Sequence, residues 1–202
     1  MRDERTKILY VDDIRDSGLE RYLDHFETGN DSFSASDMEF DTNSSLRDLI
    51  LSPSIKDNDI ILIDSRLFEE SSSSASTQTG EVFKLMMRRY YPYKVTIVIT
   101  RNDIGTNSLT VKKFSGSNQN FIDWYEERLG PLFLKAQKEI REDQTTLSDL
   151  QNENSGDIPM TVAIDEIADS IDSGDPIDTP FKKEDIDRFV KLFQEVKNTI
   201  EK

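Results

Sequence analysis

The chain has 202 residues, enough for one substantial domain or for one domain with an appendage, but crowded for two. Its 40 Asp and Glu against 25 Lys and Arg give a formal charge of −15, a field that repels nucleic-acid backbones and anionic membrane surfaces. The absence of cysteine excludes disulfide frameworks, thiolate metal sites and cysteine nucleophiles, and the single histidine, His25, excludes multi-histidine metal clusters.

The charged start MRDERTK and apolar runs no longer than a strand predict a cytoplasmic protein with no membrane-spanning or secretory segment. Lys7 to Val11 is a short apolar run that stops at Asp12 and Asp13, the pattern of a strand buried on both faces. Leu19, Tyr22, Leu23 and Phe26 recur at helical steps and place a helix over Ser17 to Phe26, with His25 on its surface. Asp37 to Asp41 reads as a weak second strand, and Ser44 to Leu51 as a short helix closed by Pro53. Ile60 to Ile63 is a continuous apolar strand ending at Asp64, followed by the polar stretch EESSSSASTQTG, an extended loop. A helix resumes at Gly80 and runs toward Pro92, Lys94 to Thr100 is another buried strand, and Leu109 to Phe114 the last one. Phe121, Trp124, Tyr125 and Leu129, with Leu132 and Phe133 beyond Gly130-Pro131, mark a closing helix or a broken pair extending toward Glu142. Strands alternating with helices at this spacing predict a doubly wound α/β fold around a five-stranded parallel sheet.

From Glu142 onward the chain carries 16 acidic and 6 basic residues, so this tail holds most of the net charge. Asn152 to Asp157 and Asp172 to Pro180 have linker composition, and Ile164, Ile167, Ala168 and Ile171 between them share a short helical face. Lys183 to Ile200 places Ile186, Phe189, Val190, Phe193, Val196 and Ile200 on one stripe of an amphipathic helix. The organisation expected is therefore a domain over residues 1–141 and an acidic linker with a helical extension over 142–202. No basic recognition face follows the first domain, so a DNA-binding output is not expected. The terminal helix reads as a clasp on its own domain or as a docking element for a partner protein.

Ligand chemistry in an open parallel sheet gathers at the carboxyl ends of the strands, where Asp12, Asp13, Asp64, Thr100 and Lys112 all fall. Each alone is an ordinary turn, cap or surface residue; their order along one fold is the signal. KILYVDD, IILIDSRL, IVITR and VKKF, with Gly80 opening GEVFKLMMRRYYP, resemble the receiver (phosphoacceptor) domain of two-component response regulators over Thr6 to Arg141. The resemblance implies a flavodoxin-like receiver fold that accepts a phosphoryl group on Asp64 from a histidine kinase or phosphotransfer protein in a Mg²⁺-dependent reaction. Asp13, Asp64 and the carbonyl of Arg66 would ligate Mg²⁺ directly and Asp12 through water. Thr100 and Lys112 would contact phosphoryl oxygens, with Lys113 replacing Lys112 if the strand register differs by one. The chemistry needs these types: bringing an anionic phosphoryl group to a carboxylate requires a hard divalent cation and a fixed positive charge.

The chain departs from the family pattern in four respects. The segment from Asp64 to Gly80 is long, the stretch from Thr100 to Lys112 leaves room only for a reduced fourth helix, and Arg101 and Leu109 stand where small and aromatic residues are usual. These departures keep a second reading open, a pseudo-receiver that is an interaction module and takes no phosphate. A haloacid-dehalogenase-type phosphatase expects an acid two residues after its nucleophile, where this chain has Arg66. A dinucleotide-binding domain expects a glycine-rich turn that YVDDIRDSG lacks.

Overall fold

The computed structural model describes residues 5–41, 44–67, 80–101, 109–116, 120–153 and 158–177. Five strands, β1 (Thr6–Asp12), β2 (Phe33–Glu39), β3 (Ile60–Asp64), β4 (Val95–Thr100) and β5 (Thr110–Lys112), form one parallel sheet in the order β2-β1-β3-β4-β5. That is the flavodoxin-like order, with the strand order reversing between β1 and β3. Its helices are α1 (Ser17–Gly29), α2 (Leu46–Ile50), α3 (Pro53–Lys56), α4 (Gly80–Tyr90), α5 (Phe121–Glu153) and α6 (Ile158–Ser173).

Side chains alternate across each strand, so the sheet feeds two cores. Ile8 and Tyr10 of β1, Ile60 and Leu62 of β3, Ile97 and Ile99 of β4 and Val111 of β5 pack against Leu19, Tyr22 and Phe26 of α1 and Tyr125, Leu129 and Phe133 of α5. Leu9, Val11, Ile61, Ile63 and Val98 face the other way, onto Leu49 and Ile50 of α2, Ile55 of α3 and Phe83 and Met87 of α4. Burial of both faces explains why β1, β3 and β4 are nearly continuous apolar runs, each such side chain contributing roughly 1.5–3 kcal/mol.

The second strand begins four residues earlier than expected from Asp37 to Asp41. Thr6 to Asp12 pairs in register with Phe33 to Glu39, and because β2 is an edge strand, most of its side chains are only partly covered, so apolar patterning marks only its first residue. The helix expected over Ser44 to Leu51 is α2, and Pro53, expected to close it, opens a second short helix, α3. Ser45 caps α2 in a reciprocal pair with Asp48, and Ser52 caps α3 in front of Pro53.

The closing helix is one continuous α5 of 33 residues, about 50 Å long at the usual rise. Pro131 lies within it and removes one backbone hydrogen bond, yet the buried stripe Tyr125, Leu129, Phe133, Ala136, Ile140, Leu147 and Leu150 runs straight across it. Pro131 itself faces solvent. The helix thus passes through residues 141 and 142, and the chain then folds back. Ile164, Ile167 and Ile171 of α6 form a third, smaller core with Leu147, Leu150 and Ile177, against which Tyr93 packs. Beyond α6, Gly174 takes φ +74° and lies against the Lys56 carbonyl, Asp175 pairs with Lys56 at 2.6 Å, and the Ile177 amide donates to the Tyr90 carbonyl. The Tyr93 hydroxyl donates to the Ser170 carbonyl. These contacts lie where α3 leads into β3 and α4 into β4, at the amino-terminal end of the sheet. The loop EESSSSASTQTG, the reduced fourth helix and the Lys183 to Ile200 helix fall outside the described residues, apart from Gly80, which opens α4.

Candidate functional site

The carboxyl ends of β1 and β3 bring Asp12, Asp13 and Asp64 together, with one oxygen of each within 4.8 Å of the others. Asp12 and Asp64 are buried and Asp13 is half-buried. Between the first and last of these lies an ammonium: Lys113 Nζ is 2.7 Å from Asp12 Oδ2 and 3.0 Å from Asp64 Oδ1.

The sequence favours Lys112 in that place, with Lys113 as the alternative if the register differs by one, and the structure puts Lys113 there. The cause is strand parity. Val111 packs in the α1/α5 core with Ile8, Tyr10, Ile60 and Leu62, so Lys113, two residues on, shares the face on which Asp12 and Asp64 stand. Lys112 stands on the opposite face, at the end of β5, and its carbonyl accepts a hydrogen bond from Trp124 Nε1 at 3.3 Å.

Asp12 is held tightly. Its Oδ2 accepts from the Tyr10 hydroxyl as well as from Lys113, and its Oδ1 from the Ile14 amide at 3.2 Å. Burial opposes the charged form, but donation from Lys113 and Tyr10 outweighs it and keeps Asp12 below the ordinary aspartate range. Asp13 moves the opposite way: burial first, then the neighbouring Asp12 and the charge of Asp64, raise it. Burial and the adjacent Asp12 also push the Tyr10 phenol far above its usual value, so it remains a donor.

Thr100 is buried at the end of β4 and its Oγ1 accepts from Ser65 Oγ at 2.9 Å. Arg66 reaches the site through its amide, which donates to Asp64 Oδ2 at 3.2 Å, while the residue as a whole is exposed. Gly80 opens α4 against the end of β3. A Cβ there would lie 2.9 Å from the Asp64 carbonyl oxygen and 3.0 Å from Ser65 Cα, so only glycine permits that approach.

The donor set suits a hard divalent cation. Three carboxylates face one ammonium, leaving two formal negative charges that a cation would balance. Tyr10 and Ser65 are participants that sequence reading did not single out. Tyr10 had a signal, since it lies two residues before Asp12 and so on the same strand face.

No family model matches the chain, and no curated protein does. Among solved structures, the two-component response regulator RcsB in complex with DNA is similar at a TM-score of 0.39 and 11% identity, over 84% of this chain and 92% of that one. It is the strand order, not that likeness, that defines the fold as flavodoxin-like α/β. Among the described residues no helix is long and apolar enough to cross a membrane.

Proposed function

We propose that this chain is a receiver whose Asp64 accepts a phosphoryl group from a phosphohistidine donor in a Mg²⁺-dependent reaction and which signals through protein contacts. The observation that carries this reading is the Lys113 ammonium bridging Asp12 and Asp64 beside Asp13, at the carboxyl edge of a 2-1-3-4-5 sheet. An Asp64 carboxylate oxygen attacks phosphorus, the phosphorus–nitrogen bond breaks, the electron pair returns to the donor imidazole, and an acyl phosphate forms. Lys113 exchanges the Asp64 oxygen for a phosphoryl oxygen, and Thr100, held by Ser65, offers its hydroxyl to another. Asp12, Asp13, Asp64 and the Arg66 carbonyl would hold Mg²⁺, which when bound supplies charge neutralisation at the phosphoryl oxygens.

Residues 1–141 form the receiver unit in this reading and 142–202 an accessory extension, whose Lys183 to Ile200 stripe docks a downstream protein. The negative charge of the extension argues against a nucleic-acid output.

Calorimetric titration with MgCl2, then with beryllofluoride in the presence of Mg²⁺, tests the reading. Saturable binding of both, lost for beryllofluoride in Asp64→Asn, is expected. Binding of Mg²⁺ without the phosphoryl mimic would favour the pseudo-receiver, and binding of neither would refute the site.

A further inference from the structure

Lys113 is the only cation that bridges two of the site's carboxylates among the described residues, so its aim decides whether a phosphoryl oxygen meets a positive charge. Both peptide groups flanking it are fixed from outside β5. On the amino-terminal side, the Lys112 carbonyl accepts from Trp124 Nε1 at 3.3 Å and the Lys113 amide donates to the Thr100 carbonyl at 2.6 Å. On the carboxyl-terminal side, the Phe114 amide donates to the Tyr125 hydroxyl oxygen at 3.1 Å.

The two aromatic side chains are themselves held. The Arg128 guanidinium lies 3.5 Å from the centroid of the Trp124 ring, Arg128 Nη1 donates to the Trp124 carbonyl at 3.0 Å, and Phe114 meets the indole edge-on. Tyr125 is fully buried and packs on Tyr22 of α1. Two consecutive residues in the first turns of α5 therefore grip the segment on either side of the site lysine.

We infer that Trp124 and Tyr125 are positioning residues for Lys113, setting the direction of its ammonium through the two peptide groups that flank it. The inference rests on the function proposed above for its ligands, but not for its geometry. It carries an unusual signature. In the free site Lys113 competes with a cation for Asp12 and Asp64, whereas in the phosphoryl-bound site it attracts the ligand. Loosening the lysine should therefore strengthen binding of Mg²⁺ alone and weaken binding of a phosphoryl mimic. A general loosening of the fold would weaken both.

The experiment uses the full chain with Tyr125→Phe, which keeps the ring and removes only the hydroxyl, and Trp124→Phe, which removes the indole N–H and leaves a smaller aromatic ring. MgCl2 alone and beryllofluoride at saturating Mg²⁺ are titrated by calorimetry. Each variant is expected to bind the mimic about fivefold more weakly, the worth of one hydrogen bond, with Mg²⁺ affinity unchanged or higher. Parallel weakening of both ligands, or no change in either, overturns the inference. A ligand-free arm separates it from the proposed function: urea denaturation of Tyr125→Phe, Lys113→Met and the double variant. Non-additive effects support the grip even if no ligand binds to wild type, and additive effects overturn it whatever the ligands do.

Discussion

Replacing Lys113 by Met would leave two buried carboxylates facing each other with no ammonium between them. The side chains are almost closed to solvent, 4% exposed for Lys113, 2% for Asp12 and 9% for Asp64, so water does little to compensate. Breaking a buried pair by removing one partner costs about 3–5 kcal/mol. The lower end applies here, because Asp12 keeps its donors Tyr10 and Ile14 and Asp64 keeps the Arg66 amide. Urea denaturation in the presence of a chelator should show Lys113→Met less stable than wild type by about 3 kcal/mol. Added MgCl2 should narrow the gap, since a cation bound only by the native state stabilises it by mass action, about 2.7 kcal/mol at a hundred times its dissociation constant, and the variant, with no Lys113 ammonium competing for Asp12 and Asp64, binds the cation more tightly than wild type. Lys112→Met, on the opposite face and half-buried, should change stability by less than about 1 kcal/mol. Equal costs at the two lysines, or a Lys113→Met protein as stable as wild type, would refute the placement of the ammonium.

Asp13→Asn should raise the urea midpoint of the cation-free protein at neutral pH while weakening Mg²⁺ binding. The sign follows from linkage: a carboxyl raised by folding favours the native state at pH below its ordinary value of 3.8 and costs stability once pH exceeds its folded value, so the gain on substitution fades in acid. Asp12, lowered by folding, contributes stability at pH above 3.8 that is lost as pH falls through its folded value, so Asp12→Asn should flatten the acid limb of the stability profile. Gly80→Ala should destabilise by about 1–3 kcal/mol, because the new methyl group would meet the Asp64 carbonyl at 2.9 Å and displace α4 from the end of β3. Gly174→Ala puts a Cβ 2.5 Å from the Lys56 carbonyl oxygen at a left-handed φ of 74°. Hydrogen exchange in α6 should accelerate while Mg²⁺ affinity stays that of wild type.

The parts of the fold that sequence made legible are those where burial acts on both faces of a strand. Ile60 to Ile63 and Lys94 to Thr100 read as strands because both faces of the sheet are covered, which leaves mostly apolar residues, with Thr96 the exception inside β4 and Asp64 and Thr100 standing where the chain leaves the sheet. Edge strand β2 obeys no such constraint, and its polar sequence concealed its start at Phe33. The carboxylates at the ends of β1 and β3 were visible because strand ends converge in any parallel sheet, and the lysine was nearly visible. Alternation through Val111 selects Lys113 over Lys112, but a strand of three residues gives that rule little to work on. The return of α6 was legible only as a helical face of Ile164, Ile167 and Ile171. Its seat on Tyr93 and Lys56 depends on contacts between residues far apart in the chain, which no local pattern encodes. Likewise, the span of α5 across Pro131 follows from the apolar stripe on both sides of it, which outweighs a single lost hydrogen bond.

The central claim is that Asp64 takes up a phosphoryl group, and its most direct measurement is intact mass spectrometry after incubation with Mg²⁺ and a small-molecule phosphodonor. The account predicts one added phosphoryl group that is released by hydroxylamine, requires Mg²⁺, and is absent from Asp64→Asn. A wild-type chain that remains unmodified while binding Mg²⁺, or a modification that persists in Asp64→Asn, would contradict it.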